Sequence, residues 1–158
     1  VQLQTREIVL EELPGVVTPP VVVFSTHARL VLETGSKVKP SFLLLRSGER
    51  MEAYINGPGL LKVETRVVRG EASFQLLVLE DKKTVGKIRL RGVGPKPDGF
   101  FRAANGKTAP AGPAAEWRLA LDQPLFNLAL TLEGDSAEKA AVGIRLEFEK
   151  PAPSTDEE

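Results

Sequence analysis

The chain has no cysteine, and methionine, tryptophan, tyrosine and histidine occur once each. Without cysteine there is no disulfide framework, no thiol nucleophile and no thiolate metal site. That absence is compatible with exported and cytosolic settings alike. The lone histidine, His27, leaves oxygen ligands as the only basis for a metal site, which points to calcium, and no D-x-D-x-D-G spacing supplies one. Glu80, Asp81 and Asp135 fall in turn sequences, where acidic residues are favoured for backbone reasons alone. A serine-type triad would have to use His27 and would do so without a G-x-S-x-G elbow. No cofactor is implied.

Net charge is missing too. The chain carries 21 Lys plus Arg against 21 Asp plus Glu, so it has no general attraction for nucleic acid or anionic lipid. No apolar run approaches the ~20 residues that span a bilayer. The sequence opens on Val1-Gln2-Leu3, with neither an initiator methionine nor a signal peptide. This is expected of the mature or trimmed portion of a longer product.

What is present is alternation. Residues 50–93 read as extended runs with apolar and charged residues on opposite sides, joined by N-G-P-G, R-G-E and D-K-K-T turn chemistry. Period-two alternation describes antiparallel strands with one wet and one dry face. Upstream, residues 3–12 form a first strand candidate, followed by a Pro-rich tether through residue 20. Residues 21–33 read as one long strand carrying His27 as a surface or half-buried residue. Lys39-Pro40 opens the next run. Downstream, three clean strands expose an apolar side: Trp117, Leu119 and Leu121; Phe126, Leu128, Leu130 and Leu132; Val142, Ile144, Leu146 and Phe148. Arg145, Glu147 and Glu149 form the opposite, ion-paired face of the last. Residues 134–139 could form a helical turn, and residues 151–158 are an acidic tail. The expectation is an all-β antiparallel sandwich, jelly-roll-like, with about nine or ten strands and little helix. Its body spans 21–150, between an N-terminal strand and tether (1–20) and the tail.

Two features suggest binding surfaces. Lys87, Arg89 and Arg91 alternate with Ile88 and Leu90, and Lys82, Lys83 and Lys96 extend the stripe. It is either an ordinary charged edge that discourages aggregation or a contact for an acidic partner. Residues 94–115 are rich in proline and glycine and read as a long irregular loop containing Phe100-Phe101-Arg102. Adjacent aromatics on an extended segment cannot both face inward. They therefore either present a ring to a sugar or a protein, or fold back together over the core. Trp117 shares a face with Leu119 and Leu121 and reads as core.

Tyr54-Ile55-Asn56-Gly57-Pro58-Gly59-Leu60-Leu61-Lys62-Val63-Glu64-Thr65-Arg66, followed by Phe74-Gln75-Leu76-Leu77-Val78-Leu79, resembles the central strands of galactose-binding-like jelly rolls. The closing runs W-R-L-A-L-D-Q-P-L-F-N-L-A-L-T-L and V-G-I-R-L-E-F-E are similar to the final strands of such carbohydrate-binding modules. The resemblance covers roughly residues 50–149 and transfers no ligand-binding residue. The same strand pattern resembles envelope proteins of Gram-negative bacteria, which implies a periplasmic or secreted location. The function expected is a non-enzymatic interaction or structural module in an envelope assembly, with protein partners, possible self-association, no nucleic acid and no membrane span. A module that recognises a polysaccharide through Phe100-Phe101 is the alternative. A hydrolase with two carboxylates in one concave site is a distant third.

Overall fold

Alternating residues fold as strands throughout the part of the chain that can be described. The computed structural model describes residues 21–149 other than 71–73, 95, 98 and 135–138. Among these residues there are twelve strands and no helix. In chain order they are β1 (Val21–Val23), β2 (Arg29–Thr34), β3 (Lys37–Arg46), β4 (Arg50–Ile55), β5 (Gly59–Arg69) and β6 (Phe74–Glu80). There follow β7 (Lys83–Leu90), β8 (Gly99–Ala103), β9 (Thr108–Ala111), β10 (Ala115–Leu121), β11 (Leu125–Glu133) and β12 (Ala141–Glu149). The expected strand at 3–12, the tether, the acidic tail and the helical turn around Asp135 lie outside the described residues, as does the side chain of Phe126.

The strands make two antiparallel sheets, a smaller one ordered β1-β4-β11-β6-β7 and a larger one ordered β10-β5-β12-β3-β2-β8-β9. They pack as a β-sandwich. Met51, Ala53 and Ile55, Phe74, Leu76 and Val78, Leu128 and Leu130 from the smaller sheet meet Leu45, Leu61, Val63, Val67, Val142 and Ile144 from the larger. Burying each of the larger side chains contributes roughly 1.5–3 kcal/mol. Thr65 is the polar member of this face, fully buried, and its hydroxyl donates to the Ala115 carbonyl at 3.1 Å. Trp117 is half-buried against the same core. Its ring closes the side of the sandwich over Gly86 of β7, where an added Cβ would lie 2.5 Å from the indole.

The strand count exceeds the expected nine or ten because two segments behave differently from their sequence reading. The run 21–33 is broken: β1 belongs to the smaller sheet and β2 to the larger. The apolar phase shows why. Val21 and Val23 point into the main core, whereas the next buried residues are Leu30 and Leu32. The alternation slips by one residue across the polar Ser25-Thr26-His27 stretch. Residues 94–115, expected as an irregular loop, contain the β8–β9 hairpin. Its turn is closed by the Ala103 N–H donating to Lys107 O and by the Lys107 N–H donating to Asn105 Oδ1, both at 2.9 Å.

The turn sequences also divide by role. Of the three turns expected between residues 50 and 93, Asp81-Lys82 joins neighbouring strands of one sheet: Glu80 pairs with Lys83, and both intervening residues have positive φ (51° and 71°), the signature of a two-residue type I′ hairpin. N-G-P-G and R-G-E instead carry the chain between sheets, since β4 and β6 lie in the smaller and β5 in the larger. Pro40 does not open β3 but sits inside it. Leu30 pairs with Phe42 and Leu32 with Lys39, so Pro40 and Ser41 together oppose Val31. The bulge accommodates a residue that has no N–H to give the ladder.

The larger sheet overhangs the smaller. No residue of β2, β8 or β9 belongs to the main core; they enclose a second one, made of Leu30, Leu32, Phe42, Phe101 and Ala111. This cluster lies on the other face of β3, because Phe42 and Leu44 point into it while Leu43 and Leu45 point to the main core. The sheet rolls until the end of β9 comes alongside β5, where the Gly112 N–H donates to Val67 O at 2.8 Å. Phe101 fills the roll, edge-on to Phe42 with centroids 5.1 Å apart. It rests on Gly143 of β12, where an added Cβ would come within 2.6 Å of the ring.

Two cores sharing three strands make Gly143 a sensitive position. Gly143→Ala is expected to destabilise the fold by about 1–3 kcal/mol through overpacking. Phe101→Leu in the same chain should recover part of that loss. Urea denaturation of both single variants and the double variant measures the coupling, and simple additivity of the two effects would contradict this packing.

Candidate functional site

The overhang brings two of the six expected site residues, Phe100 and Arg102, to one surface. Facing residues of paired strands share a side, and Pro110, Phe100, Glu33 and Val38 form one such row across β9, β8, β2 and β3. Alternation along β8 separates the adjacent aromatics: Phe100 is 53% exposed and Phe101 is 1% exposed. Val38 is exposed beside them at 63%. Arg102 grips Glu33 through two contacts, Nε–Oε2 at 3.0 Å and Nη2–Oε1 at 3.1 Å. That bidentate geometry fixes both side chains. The surface is thus an exposed ring and a valine set around a locked ion pair, on strands hydrogen-bonded on both sides. Phe101 is part of the packing beneath it, not of the surface.

Lys87 and Arg89 lie elsewhere, on the exposed side of β7, and Arg91 is exposed just past its end. β7 is the edge of the smaller sheet opposite β1, and the overhang begins beyond β1. The stripe and the Phe100 face are therefore not one site. Among the described residues none of these three cations, nor Lys82, Lys83 or Lys96, forms an ion pair. The strand also carries a bulge at Val85, since Leu79 pairs with Thr84 and Val78 with Gly86. Unpaired cations and a bulge are the devices that keep an edge strand from pairing with another chain. On the larger sheet several charges are paired instead. Glu64, only 9% exposed, takes Lys39 at 3.4 Å and Arg66 at 3.7 Å; Arg145 pairs with Glu147 at 3.2 Å and Lys62 with Glu149 at 3.7 Å.

His27 is half-buried as expected but sits in the crossover between β1 and β2, not within a strand. There it belongs to a bridge between the sheets. In the smaller sheet, the Glu52 N–H donates to Ser25 Oγ at 3.0 Å, and the Phe24 N–H donates to Glu52 O at 2.8 Å. In the larger sheet, the Leu44 N–H donates to Ala28 O at 2.9 Å, and His27 Nδ1 lies 3.1 Å from Leu44 O. Ser25 Oγ and His27 Nε2 join the two halves at 2.6 Å. A carbonyl only accepts, so Nδ1 carries the proton and Nε2 takes the Ser25 hydroxyl. Serine beside histidine is the beginning of a nucleophilic pair. Here, however, the serine oxygen already accepts a backbone N–H and the imidazole is oriented by a carbonyl, which suits a structural tie.

Sequence reading found the aromatics and the cations but neither the bridge nor the buried Glu64. The bridge had one signal, the phase slip across residues 25–28. Of the partners of Glu64, Arg66 stands two residues along the same strand, whereas Lys39 of β3 reaches it across β12 and leaves no signal at a fixed spacing. Two carboxylates, Asp122 and Glu149, do line one concavity of about 520 Å³ near β5 and β10. Both are exposed, which is not the dry setting that a general acid of glycoside hydrolysis requires. Among the described residues no group of three or more His, Asp or Glu could hold a metal ion, and no helix is long and apolar enough to cross a membrane.

The bridge is testable by truncation. His27→Ala should cost about 1–3 kcal/mol, because it takes the donor from the Leu44 carbonyl and the acceptor from the Ser25 hydroxyl in a half-buried place. Ser25→Ala should cost a similar amount, and the two changes together clearly less than their sum, as read from urea denaturation. Compared with protein-family models and with curated proteins, the chain matches none.

Proposed function

We propose that this chain is a non-enzymatic β-sandwich interaction module that holds a protein partner on the overhanging face of its larger sheet. The observation that supports this best is the placement of Phe100. A ring on a free loop can fold away and must be ordered on binding; Phe100 stands on a strand paired with β2 and β9, so its position is set before any partner arrives. Preorganised aromatics with little entropy left to lose are the usual anchors of protein interfaces. Val38 and Pro110 widen the apolar area, and the Glu33–Arg102 pair supplies a polar element beside the ring. An envelope setting belongs to the same proposal and rests on the resemblance of the strand pattern, as does the likeness to galactose-binding jelly rolls.

A second reading is favoured by the same ring. A flat, exposed aromatic next to a fixed charged pair also suits the face of a sugar, with hydroxyls directed to Arg102 and Glu33. Trp117 offers no second platform, since it packs over Gly86.

A point substitution separates these readings better than deletion of residues 94–115, which would remove Phe101 from the second core. Phe100→Glu should change stability by no more than about 0.5 kcal/mol. Proteins that co-purify with the tagged full chain from its source cells should be lost with the variant. Retention of the same proteins would refute the partner face. Saturable binding of an oligosaccharide at millimolar concentration, lost in Phe100→Ala, would replace it with the carbohydrate reading.

A further inference from the structure

Among the described residues the smaller sheet ends at β1, and the larger sheet continues beneath it and leaves a concavity of about 450 Å³. Val21 and Val23 form one wall and Leu43 the floor, all three from the rim of the main core. Arg29 stands directly opposite Leu43 in the β2–β3 ladder, so its side chain leaves the sheet on the same side. Thr26 and Ser41 add hydroxyls to the lining, the latter from the bulge, where it holds a left-handed conformation (φ 75°). The Ser25–His27 bridge closes the back.

The electrostatics of this place are one-sided. Among the described residues no carboxylate lines the concavity. Arg29 is exposed and forms no ion pair among the described residues, which it shares with Lys37, Arg46 and Arg69 but not with Lys39, Lys62, Arg66, Arg102, Arg118 and Arg145 on the same sheet; of the unpaired cations it is the one that lines this concavity. An arginine at the margin of an apolar core, with its charge uncompensated, is arranged to receive an anion. Its planar fork matches a carboxylate through two parallel hydrogen bonds, and the hydroxyls can donate to the same oxygens. Both ring nitrogens of His27 are already engaged, so the imidazole serves as a wall. The apolar surfaces a few ångströms away select what the carboxylate is attached to.

We infer that this concavity binds a small organic acid, a monocarboxylate carried on a compact apolar body. Arg29 takes the carboxylate, Thr26 and Ser41 support it, and the body lies against Val21, Val23 and Leu43. A cation of the same shape is repelled by Arg29. A carboxylate without the apolar part keeps the fork but loses the contact with the rim. The site does not depend on the partner face of the overhang, from which it differs in both residues and ligand class.

Hexanoate, hexylamine and acetate are the probes, titrated into the full chain while the backbone amides of residues 21–29 and 41–43 are followed by NMR. Hexanoate should give saturable shifts with a Kd of about 1–10 mM, as suits a ligand of this size. Acetate should bind at least about tenfold more weakly and hexylamine without saturation, for want of the apolar contact and the ion pair respectively. Arg29→Gln should weaken hexanoate at least about tenfold while leaving the rest of the amide spectrum in place. The inference is overturned if hexanoate produces no saturable shift at about 50 mM, well above that range. Binding of hexylamine or acetate as tight as that of hexanoate, or unchanged affinity in Arg29→Gln, would overturn it equally.

Discussion

Phe101 rests on Gly143, and the course of three strands depends on that contact. With a side chain at position 143, the ring could not settle onto β12, and β2, β8 and β9 would lose the surface around which they turn. A β-sheet of this breadth twists but does not close by itself. Here closure comes from a phenylalanine inserted where one strand presents bare backbone, with Phe42 edge-on to it and the Gly112–Val67 hydrogen bond sealing the end. The overhang, and everything displayed on it, follows from that insertion. Phe100 is exposed because Phe101 is not.

The fold class was legible because alternation is a local signal. Residues on β6, β7, β10 and β12 fall on the faces that their period-two pattern assigns, and the Asp81-Lys82 turn joins the strands that its chemistry suggests. What alternation does not reveal is which sheet a strand joins. N-G-P-G and R-G-E are good turn sequences, but a turn between neighbouring strands and a passage between two sheets demand the same residues. The proline and glycine of 94–115 suggested irregularity for a related reason. Pro110 in β9 and Gly99 in β8 are tolerated because both strands lie near the end of the sheet order. Gly143 in V-G-I carried a clue, since a glycine within a strand marks a close approach. The identity of the approaching ring is a property of the tertiary fold.

The candidate sites divide along the same line. Phe100 and the β7 cations could be picked out because an adjacent aromatic pair and a run of alternating charges are visible in one dimension. The Arg29 concavity was invisible. It needs the edge of one sheet, the bulge of another and a crossover between them, and Arg29 by itself is an ordinary charged residue at the start of a strand. The same is true of Glu64, whose burial makes sense only with Lys39 and Arg66 in place. An ion pair assembled from β3 and β5 leaves no trace at a fixed sequence spacing.

The Ser25–His27 bridge also acts as a gauge of strand registry. It reads both backbone groups of Glu52 on β4 and both of Leu44 on β3, so each sheet is held at a set height relative to the other. A strand that slid by one residue would turn its buried side to solvent, and here it would also present the crossover with the wrong pair of backbone groups. Four residues of a five-residue crossover thus make the alignment of two sheets a matter of hydrogen-bond matching as well as of hydrophobic fit. A chain with the same apolar pattern but a different crossover would keep the sandwich and lose the fixed offset on which the shape of its margin depends.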